Sequence, residues 1–375
     1  MNDFFSKQEL ERYSRHLLIP EFNLEGQTKL KKAKVLVIGS GGLGSPVLMY
    51  LSAAGVGKIG IVDFDLVDVS NLQRQVIFSG KDIGKPKAKS AIVKLQDLNP
   101  HVEFTAYQER ISAENAISII SDWDIVIDGT DNFPTRYLVN DACVILNKPN
   151  IYGSIFRFEG QVSVFNLDLG GKRGPNYRDL FPIPPDPGTV PSCSEGGVFG
   201  VLPGIIGSMQ ANEAIKVITG IGKPLSGRLF VFDTLNFESR TLKFSNNPNA
   251  PKITELINYE EFCGFEQKPD IKELSVNEFQ NWQGSKKTYQ LIDVRSKAEY
   301  DIVNIDGLNI PLSNIQNQFH QIVRDKPVVL HCKTGKRSIQ AIKWLEENQG
   351  FTNLFNLSGG IVAWTKEVQP TLISY

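Results

Sequence analysis

Cysteine is scarce in this chain: its 375 residues contain four, Cys143, Cys193, Cys263 and Cys332, with no two of them close together. A disulfide framework and a zinc site of closely paired cysteines are therefore not encoded locally. Long apolar runs are missing too, since none reaches the ~18 residues of a membrane-crossing segment. Met1 leads into Asn-Asp-Phe-Phe without a basic stretch and an apolar core of signal length. These absences predict a soluble cytoplasmic protein with no membrane partner. Nor does one sign of charge dominate: 40 Lys and Arg stand against 41 Asp and Glu, a formal net charge of -1. The basic runs at 29–34 and 81–89 are short and have acidic neighbours, so nothing argues for nucleic acid. What is present is an ordinary globular composition, 41% apolar and 22% charged, with length enough for two domains.

From residue 35, short apolar runs at 35–39, 59–63, 102–106 and 124–128 alternate with helical stretches. That pattern predicts an α/β fold, a mostly parallel sheet wound with helices in Rossmann-like fashion. Ligands of such sheets bind beyond the carboxyl ends of the strands, and Gly39, Asp63 and residues 129–132 all fall at such ends. Further strands are expected at 161–165 and 228–232 and a helix at 202–218, while the proline-rich stretch 181–191 cannot be regular. Loop composition around 245–251 precedes a domain boundary placed near residue 268, dividing 1–268 from 269–375. Strands at 289–293 and 327–331 and a helix at 338–348 then restart the alternation as a second, small α/β unit.

Gly39, Gly41 and Gly44 match a dinucleotide-binding turn, with Asp63 at the end of the next strand about 20 residues on. Such glycines let the backbone approach a phosphate, the helix that follows offers free N–H groups, and the carboxylate takes ribose hydroxyls. Alone, the turn fits NAD or FAD as well as ATP, or a bare strand-to-helix connection. The residues that follow favour nucleotidyl transfer: Ser70, Asn71, Leu72, Gln73 and Arg74 after the second strand, Lys87 on the next helix, and Thr130, Asp131 and Asn132 after the fourth. Charge spreading over phosphate oxygens calls for cations, and Mg²⁺ calls for a hard oxygen ligand. Arg74 and Lys87 as solvated surface cations, and Asp131 as a turn residue, are the alternative readings of each position taken singly.

Together with the segment Arg12-Tyr-Ser-Arg-His16, this set resembles the adenylating enzymes of the MoeB/ThiF/HesA family, relatives of ubiquitin-activating enzymes, over about residues 5–265. The resemblance implies that Gly42, Asp63, Asn71, Arg74 and Lys87 bind ATP and that Asp131 binds Mg²⁺. It also implies a homodimer in which Arg15 reaches the phosphates of the other subunit. The implied substrate is a ubiquitin-fold sulfur carrier with a C-terminal Gly-Gly. Members often hold a structural zinc with two Cys-x-x-Cys pairs. The equivalent positions here, Asn176 to Asp179 and Asn247 to Ala250, cannot supply four suitable ligands, so no structural zinc is expected.

Two cysteines invite a chemical role. Cys193, in Pro191-Ser-Cys-Ser-Glu-Gly-Gly197, follows the proline-rich stretch and reads as an accessible loop thiol. It matches the family's crossover-loop cysteine, which the resemblance makes either a covalent acceptor of the carrier or a partner in a disulfide after sulfur transfer; a spare loop thiol is the plain alternative. Cys143 and Cys263 read as structural. Cys332 ends a strand and opens the loop Cys332-Lys333-Thr334-Gly335-Lys336-Arg337 before a helix, which puts backbone N–H groups and two or three cations around one sulfur.

That loop resembles the rhodanese active site, with Ile292–Arg295, Glu299-Tyr300, Asn309–Pro311 and Leu357–Trp364 in support, over about residues 270–375. Tyrosine phosphatases place their arginine six positions after the cysteine; Arg337 is five after Cys332. Asn304 stands where the histidine of a Gly-His pair is usual, a departure from the rhodanese pattern. The two resemblances together imply adenylation of a carrier's C-terminal glycine and then sulfur transfer from a Cys332 persulfide, fed by a donor such as a cysteine desulfurase. Molybdopterin biosynthesis is the leading pathway, with thiamine biosynthesis or tRNA thiolation as alternatives. An NAD-dependent oxidoreductase and a non-catalytic carrier scaffold are the rival classes.

Overall fold

Val35, Leu36, Val37 and Ile38 form a continuous apolar run with both faces buried, as a central parallel strand requires. In the computed structural model this run is β1 (Lys34–Ile38). It pairs in parallel with β2 (Lys58–Val62) on one side and β4 (Ile125–Asp128) on the other. The structure describes residues 4–185, 189, 196–264, 271–285 and 287–372. Two units separate, Met1–Glu266 and Gln267–Tyr375; the expected boundary near residue 268 lies outside the described residues.

The first unit adds β3 (Glu103–Tyr107), β5 (Asn150–Phe156), β6 (Glu159–Phe165), β7 (Arg228–Asp233) and β8 (Glu238–Lys243). They form an eight-stranded sheet in the order β3-β2-β1-β4-β5-β6-β7-β8, parallel as far as β5 and antiparallel beyond it. Successive side chains of a strand point to opposite faces, and two cores follow: Val35, Val37, Ile59, Ile61 and Ile127 on one side, Leu36, Ile38, Val62 and Val126 on the other. The order reverses between β1 and β4, where a crevice opens at the carboxyl ends. Register holds those ends level: Ile38 lies opposite both Val62 and Asp128, Gly39 N donates to Val62 O at 2.9 Å and Gly129 N to Ile38 O at 2.9 Å. The helix expected at 202–218 is Leu202–Thr219. Its Gln210 Nε2 donates to the carbonyls of Asp128 (2.8 Å) and Ile151 (3.1 Å), tying it to the sheet beneath the crevice.

The second unit is a five-stranded parallel sheet in the order β11-β10-β12-β13-β9. Its strands are β9 (Glu273–Leu274), β10 (Gln290–Asp293), β11 (Leu308–Asn309), β12 (Val328–His331) and β13 (Leu354–Leu357). Alternation again sends Ile292, Val328 and Leu330 to one core and Leu291 and Val329 to the other. Cys332 follows the central strand β12.

Candidate active sites

At the end of β1 the chain turns on Gly39, whose φ of +90° suits glycine. A Cβ there would lie 2.9 Å from Gly129 O, and one on Gly44 would lie 1.9 Å from Gly39 O. The helix Gly44–Ala54 can therefore start hard against the strand only with glycine at both places. Gly41, Gly42 and Leu43 precede it with no hydrogen-bond acceptor for their N–H groups among the described residues, which leaves donors for phosphate. A Cβ on Gly42 would meet Pro203 at 3.1 Å and Arg74 Cγ at 3.7 Å, so the stem of Arg74 lies beside the turn. The Arg74 guanidinium donates from Nη1 to Ser70 O at 3.0 Å.

Asp63, 8% exposed, is held from both sides. Its Oδ2 accepts from Ser40 N (2.8 Å) and Ser40 Oγ (2.7 Å), and its Oδ1 from Asp65 N (3.0 Å). This fixes the carboxylate and leaves further lone pairs for ribose hydroxyls. Lys87 is buried, and its Nζ lies 3.0 Å from Asp65 Oδ2. Neither Ser40 nor Asp65 was singled out by the motif, yet each orients a residue that was. Asn71 accepts from Asp68 N at 3.1 Å within a capping box that begins the turn carrying Ser70, Leu72 and Gln73. Gln73 packs against Gly200, where an added Cβ would lie 2.5 Å from its Oε1.

Asp131 and Asn132 are exposed after β4, and Asn132 Oδ1 caps the helix Phe133–Ile145 by accepting from Thr135 N at 3.0 Å. Beneath them, fully buried Asp128 accepts through Oδ1 from Thr130 N (2.9 Å) and Thr130 Oγ1 (2.6 Å), and Arg136 Nη2 donates to Thr130 O at 3.1 Å. Both sides of Thr130 are thus gripped, which sets the direction of Asp131. Burial pushes the Asp128 carboxyl up, opposed by the Arg136 charge. Arg15 is exposed on the short helix Ser14–Leu17, which packs on the helix Asn23–Lys32. Cys193 lies outside the described residues. Cys143 and Cys263 are buried, and burial raises both thiols, Cys263 to about 12; they serve packing.

The positions compared with the family's zinc ligands do not fit a metal. Asp179 Oδ2 accepts from Asn176 N (2.7 Å) and Nδ2 (2.9 Å), and its Oδ1 accepts from Asn247 N at 2.8 Å. One carboxylate therefore links the two segments that a zinc ion would join. Alongside, Arg178 and Asp141 form a buried pair at 2.6 Å, and Tyr259 Oη donates to Asp141 Oδ2 at 2.8 Å.

In the second unit, Cys332 is 1% exposed. Gly335 N donates to its Sγ at 3.2 Å, and Ser338 Oγ lies 3.6 Å away. Gly335 has φ +96° and opens the helix Lys336–Gln349. The carbonyls of Cys332 and Lys333 turn outward to accept from Ile361 N (2.9 Å) and Val362 N (3.1 Å), at the start of the helix Gly360–Glu367. Gly360 permits this contact, since a Cβ there would meet Cys332 O at 2.4 Å. Behind the loop, fully buried Arg295 pairs with Asp293 through Nε at 3.0 Å and donates to Val303 O at 2.7 Å. Asn309 Nδ2 donates to the carbonyls of Asp293 and Arg295, tying the expected motifs together.

Arg337 has a partner that the motif did not announce. Its two terminal nitrogens lie on Glu299, at 2.8 and 2.7 Å, so this guanidinium serves first as a clasp between the loop and the helix Lys297–Ile302. Burial opposes ionisation of Glu299, but the Arg337 hydrogen bonds and charge hold its carboxyl below the usual range. Asn304, at the position that departs from the rhodanese pattern, donates from Nδ2 to Tyr300 O at 3.0 Å.

The geometry thus comprises a glycine turn with unused N–H groups beside fixed carboxylates and cations in the first unit, and a cysteine cradle in the second. The ThiF family model matches residues 13–252 and the rhodanese-like domain model residues 275–367. The chain belongs to the ThiF family. This ThiF-family chain is 48% identical over 378 residues to a probable adenylyltransferase/sulfurtransferase MoeZ of Mycobacterium tuberculosis, covering 99% of this chain and 96% of the relative. It is 42% identical to the adenylyltransferase and sulfurtransferase MOCS3 of Drosophila sechellia, over 99% of this chain and 86% of that one. A sulfur carrier protein adenylyltransferase of Thermus thermophilus is 53% identical, over 69% of this chain and 98% of the relative. Among solved structures, E. coli MccB with ATP superposes with a TM-score of 0.57 at 23% identity, over 68% of this chain and 76% of that one, a likeness of fold. This ThiF-family protein is an adenylyltransferase with a rhodanese sulfurtransferase domain, and its family implies ATP as substrate. No helix among the described residues is long and apolar enough to cross a membrane.

Proposed function

We propose that this enzyme adenylates the C-terminal glycine of a ubiquitin-fold sulfur carrier and then converts it to a thiocarboxylate with sulfur held on Cys332. The observation that supports this most is the presence of both loops on one chain, matched nearly end to end in relatives that join the same two domains. The carrier's carboxylate attacks the α-phosphate of ATP, and pyrophosphate leaves. Gly41 to Gly44 hold the phosphates, Asp63 the ribose, and Asn71, Arg74 and Lys87 the developing negative charge. Asp131 offers Mg²⁺ one hard oxygen, in keeping with its exposure beyond β4. The ion would neutralise phosphate charge there.

The terminal sulfur of a Cys332 persulfide next bonds to the activated carbonyl carbon, and AMP leaves. A second thiol attacking Sγ then frees the thiocarboxylate and leaves a disulfide; Cys193 is the candidate. A carboxylate is a poor electrophile, so activation precedes sulfur transfer, and joining both loops in one polypeptide makes the second step intramolecular. The active form is a homodimer in the cytoplasm, Arg15 completing the site of the other subunit, with a cysteine desulfurase or similar persulfide donor supplying sulfur. The proposed pathway is molybdopterin biosynthesis. ATP–pyrophosphate exchange with carriers from molybdopterin, thiamine and tRNA-thiolation pathways tests it. Exchange strongest with the molybdopterin carrier is expected; preference for another carrier would reassign the pathway, and no exchange with any would overturn the reading.

A further inference from the structure

Ser338, on the first turn of the helix that follows the cysteine loop, begins a chain of polar groups that leads away from Cys332 to the surface. Its Oγ has one proton and three acceptors around it: Asn356 Oδ1 at 2.6 Å, Gly335 O at 3.0 Å and Cys332 Sγ at 3.6 Å. Asn356, on β13, has its amide turned by Glu273 of β9, whose two carboxylate oxygens accept from Nδ2 at 3.1 and 3.0 Å. A carboxylate only accepts, so Nδ2 must face Glu273 and Oδ1 must face Ser338. Ser358 Oγ donates to the same carboxylate. Ser338 is fully buried and Asn356 2% exposed, so water does not compete for the bond between them, while Glu273 at the far end is exposed.

We propose that Ser338 is the hydrogen-bond donor that receives Cys332 as a leaving group, with Asn356 and Glu273 as its positioning residues. In the persulfide, Sγ is an uncharged divalent sulfur and a weak acceptor, and the hydroxyl proton rests on Asn356. When cyanide or another nucleophile attacks the terminal sulfur itself, the bonding pair of the S–S bond falls onto Sγ, whereas in carrier release by attack on Sγ that pair leaves with the thiocarboxylate. The resulting thiolate is a stronger acceptor than a neutral amide oxygen, and the hydroxyl rotates to it. The bond therefore forms as charge develops, which is the condition for lowering a barrier rather than tightening a ground state. Gly335 N–H is the second donor to Sγ.

Single-turnover release of sulfur to cyanide isolates this step in the full chain. The protein is first loaded with thiosulfate, which gives the persulfide and sulfite. Cyanide carbon then bonds to the terminal sulfur, the Sγ–S bond breaks, and thiocyanate and the Cys332 thiolate result. Ser338→Ala should slow the saturating rate about 10- to 100-fold, the range for losing a hydrogen bond to a charged group, while half-saturation by cyanide stays put. Ser338→Thr should restore most of the rate. Asn356→Ala should slow release about 3- to 10-fold in the natural chain, yet add nothing in the Ser338→Ala background, because it acts through that hydroxyl. Stoichiometric loading of each variant reports an intact loop. Release from Ser338→Ala at the natural rate would overturn the proposal, and so would an undiminished effect of Asn356→Ala in the double variant.

Discussion

His331, directly before Cys332, should make the second unit lose stability as pH falls from 7 to 4. The ring is fully buried at the end of β12; Asp293 Oδ2 lies 3.7 Å from Nε2, and neither ring nitrogen has a hydrogen bond of ordinary geometry among the described residues. Burial, reinforced by the nearby Arg295 charge and only partly opposed by Asp293, pulls the imidazole down from 6.5 to about 4. The folded chain keeps it neutral where the unfolded chain takes up a proton. Its contribution is therefore fully present above about pH 6.5, declines as pH falls, and is lost near the folded value of about 4. At about 1.4 kcal/mol for each pH unit of separation, the loss is ~3 kcal/mol. The four tryptophans are Trp123, Trp282, Trp344 and Trp364, and all but Trp123 lie in the second unit, so urea unfolding followed by fluorescence reports mainly on that unit. The only other histidine there, His320, is exposed. His331→Phe keeps the ring shape and removes the titration, so its stability should be nearly flat between pH 6.5 and 4.5 by this account. An equally steep slope in His331→Phe, or a flat profile in the natural chain, would refute the reasoning.

Asp131→Ala should reduce ATP–pyrophosphate exchange at least ~10²-fold, the size of deleting one electrostatic stabiliser, and near-normal exchange would remove Asp131 from the site. Mixing Arg15→Ala with Asp131→Ala subunits should restore one intact site per heterodimer if Arg15 acts in trans; stable heterodimers that stay inactive would exclude that geometry. Asp141→Ala leaves Arg178 buried without its partner and should cost the first unit ~3–5 kcal/mol in denaturant titrations. Elemental analysis of the purified natural chain should find zinc well below one per chain, and stoichiometric zinc surviving dialysis would mean that ligands other than Asn176, Asp179 and Asn247 bind it.

The sequence made the parallel half of the first sheet legible because β1, β2 and β4 are buried on both faces and read as Val, Ile and Leu runs, broken only by Gly60 in β2. β8 was not legible: Glu238–Lys243 is exposed throughout, so hydrophobic patterning has nothing to register. Strand β5 escaped because Asn150, Gly153 and Ser154 interrupt its apolar residues, although Gly153 is needed where a Cβ would lie 2.4 Å from Gln210. The two-residue strands β9 and β11 are too short to show a period. At the candidate sites, motif spacing pointed to Asp63, Lys87 and Cys332 but not to the residues that orient them. Ser40 and Asp65 hold Asp63 and Lys87, and Asn356 reaches Ser338 from a different strand; such partners meet only through the fold. Arg337 was read as part of the loop, whereas it stands on the first turn of the helix Lys336–Gln349, and its engagement with Glu299 depends on how the helix Lys297–Ile302 packs.

The central claim is a division of labour between adenylation at the nucleotide turn and sulfur transfer at Cys332, and Cys332→Ala tests it most directly. The variant, a candidate carrier, ATP, Mg²⁺ and a persulfide donor are incubated together, with pyrophosphate exchange followed alongside the intact mass of the carrier. The natural chain should exchange pyrophosphate and convert the carrier by replacement of one oxygen with sulfur. Cys332→Ala should exchange at the same rate and leave the carrier's mass unchanged. Thiocarboxylate formed without Cys332, or exchange lost together with it, would contradict the account.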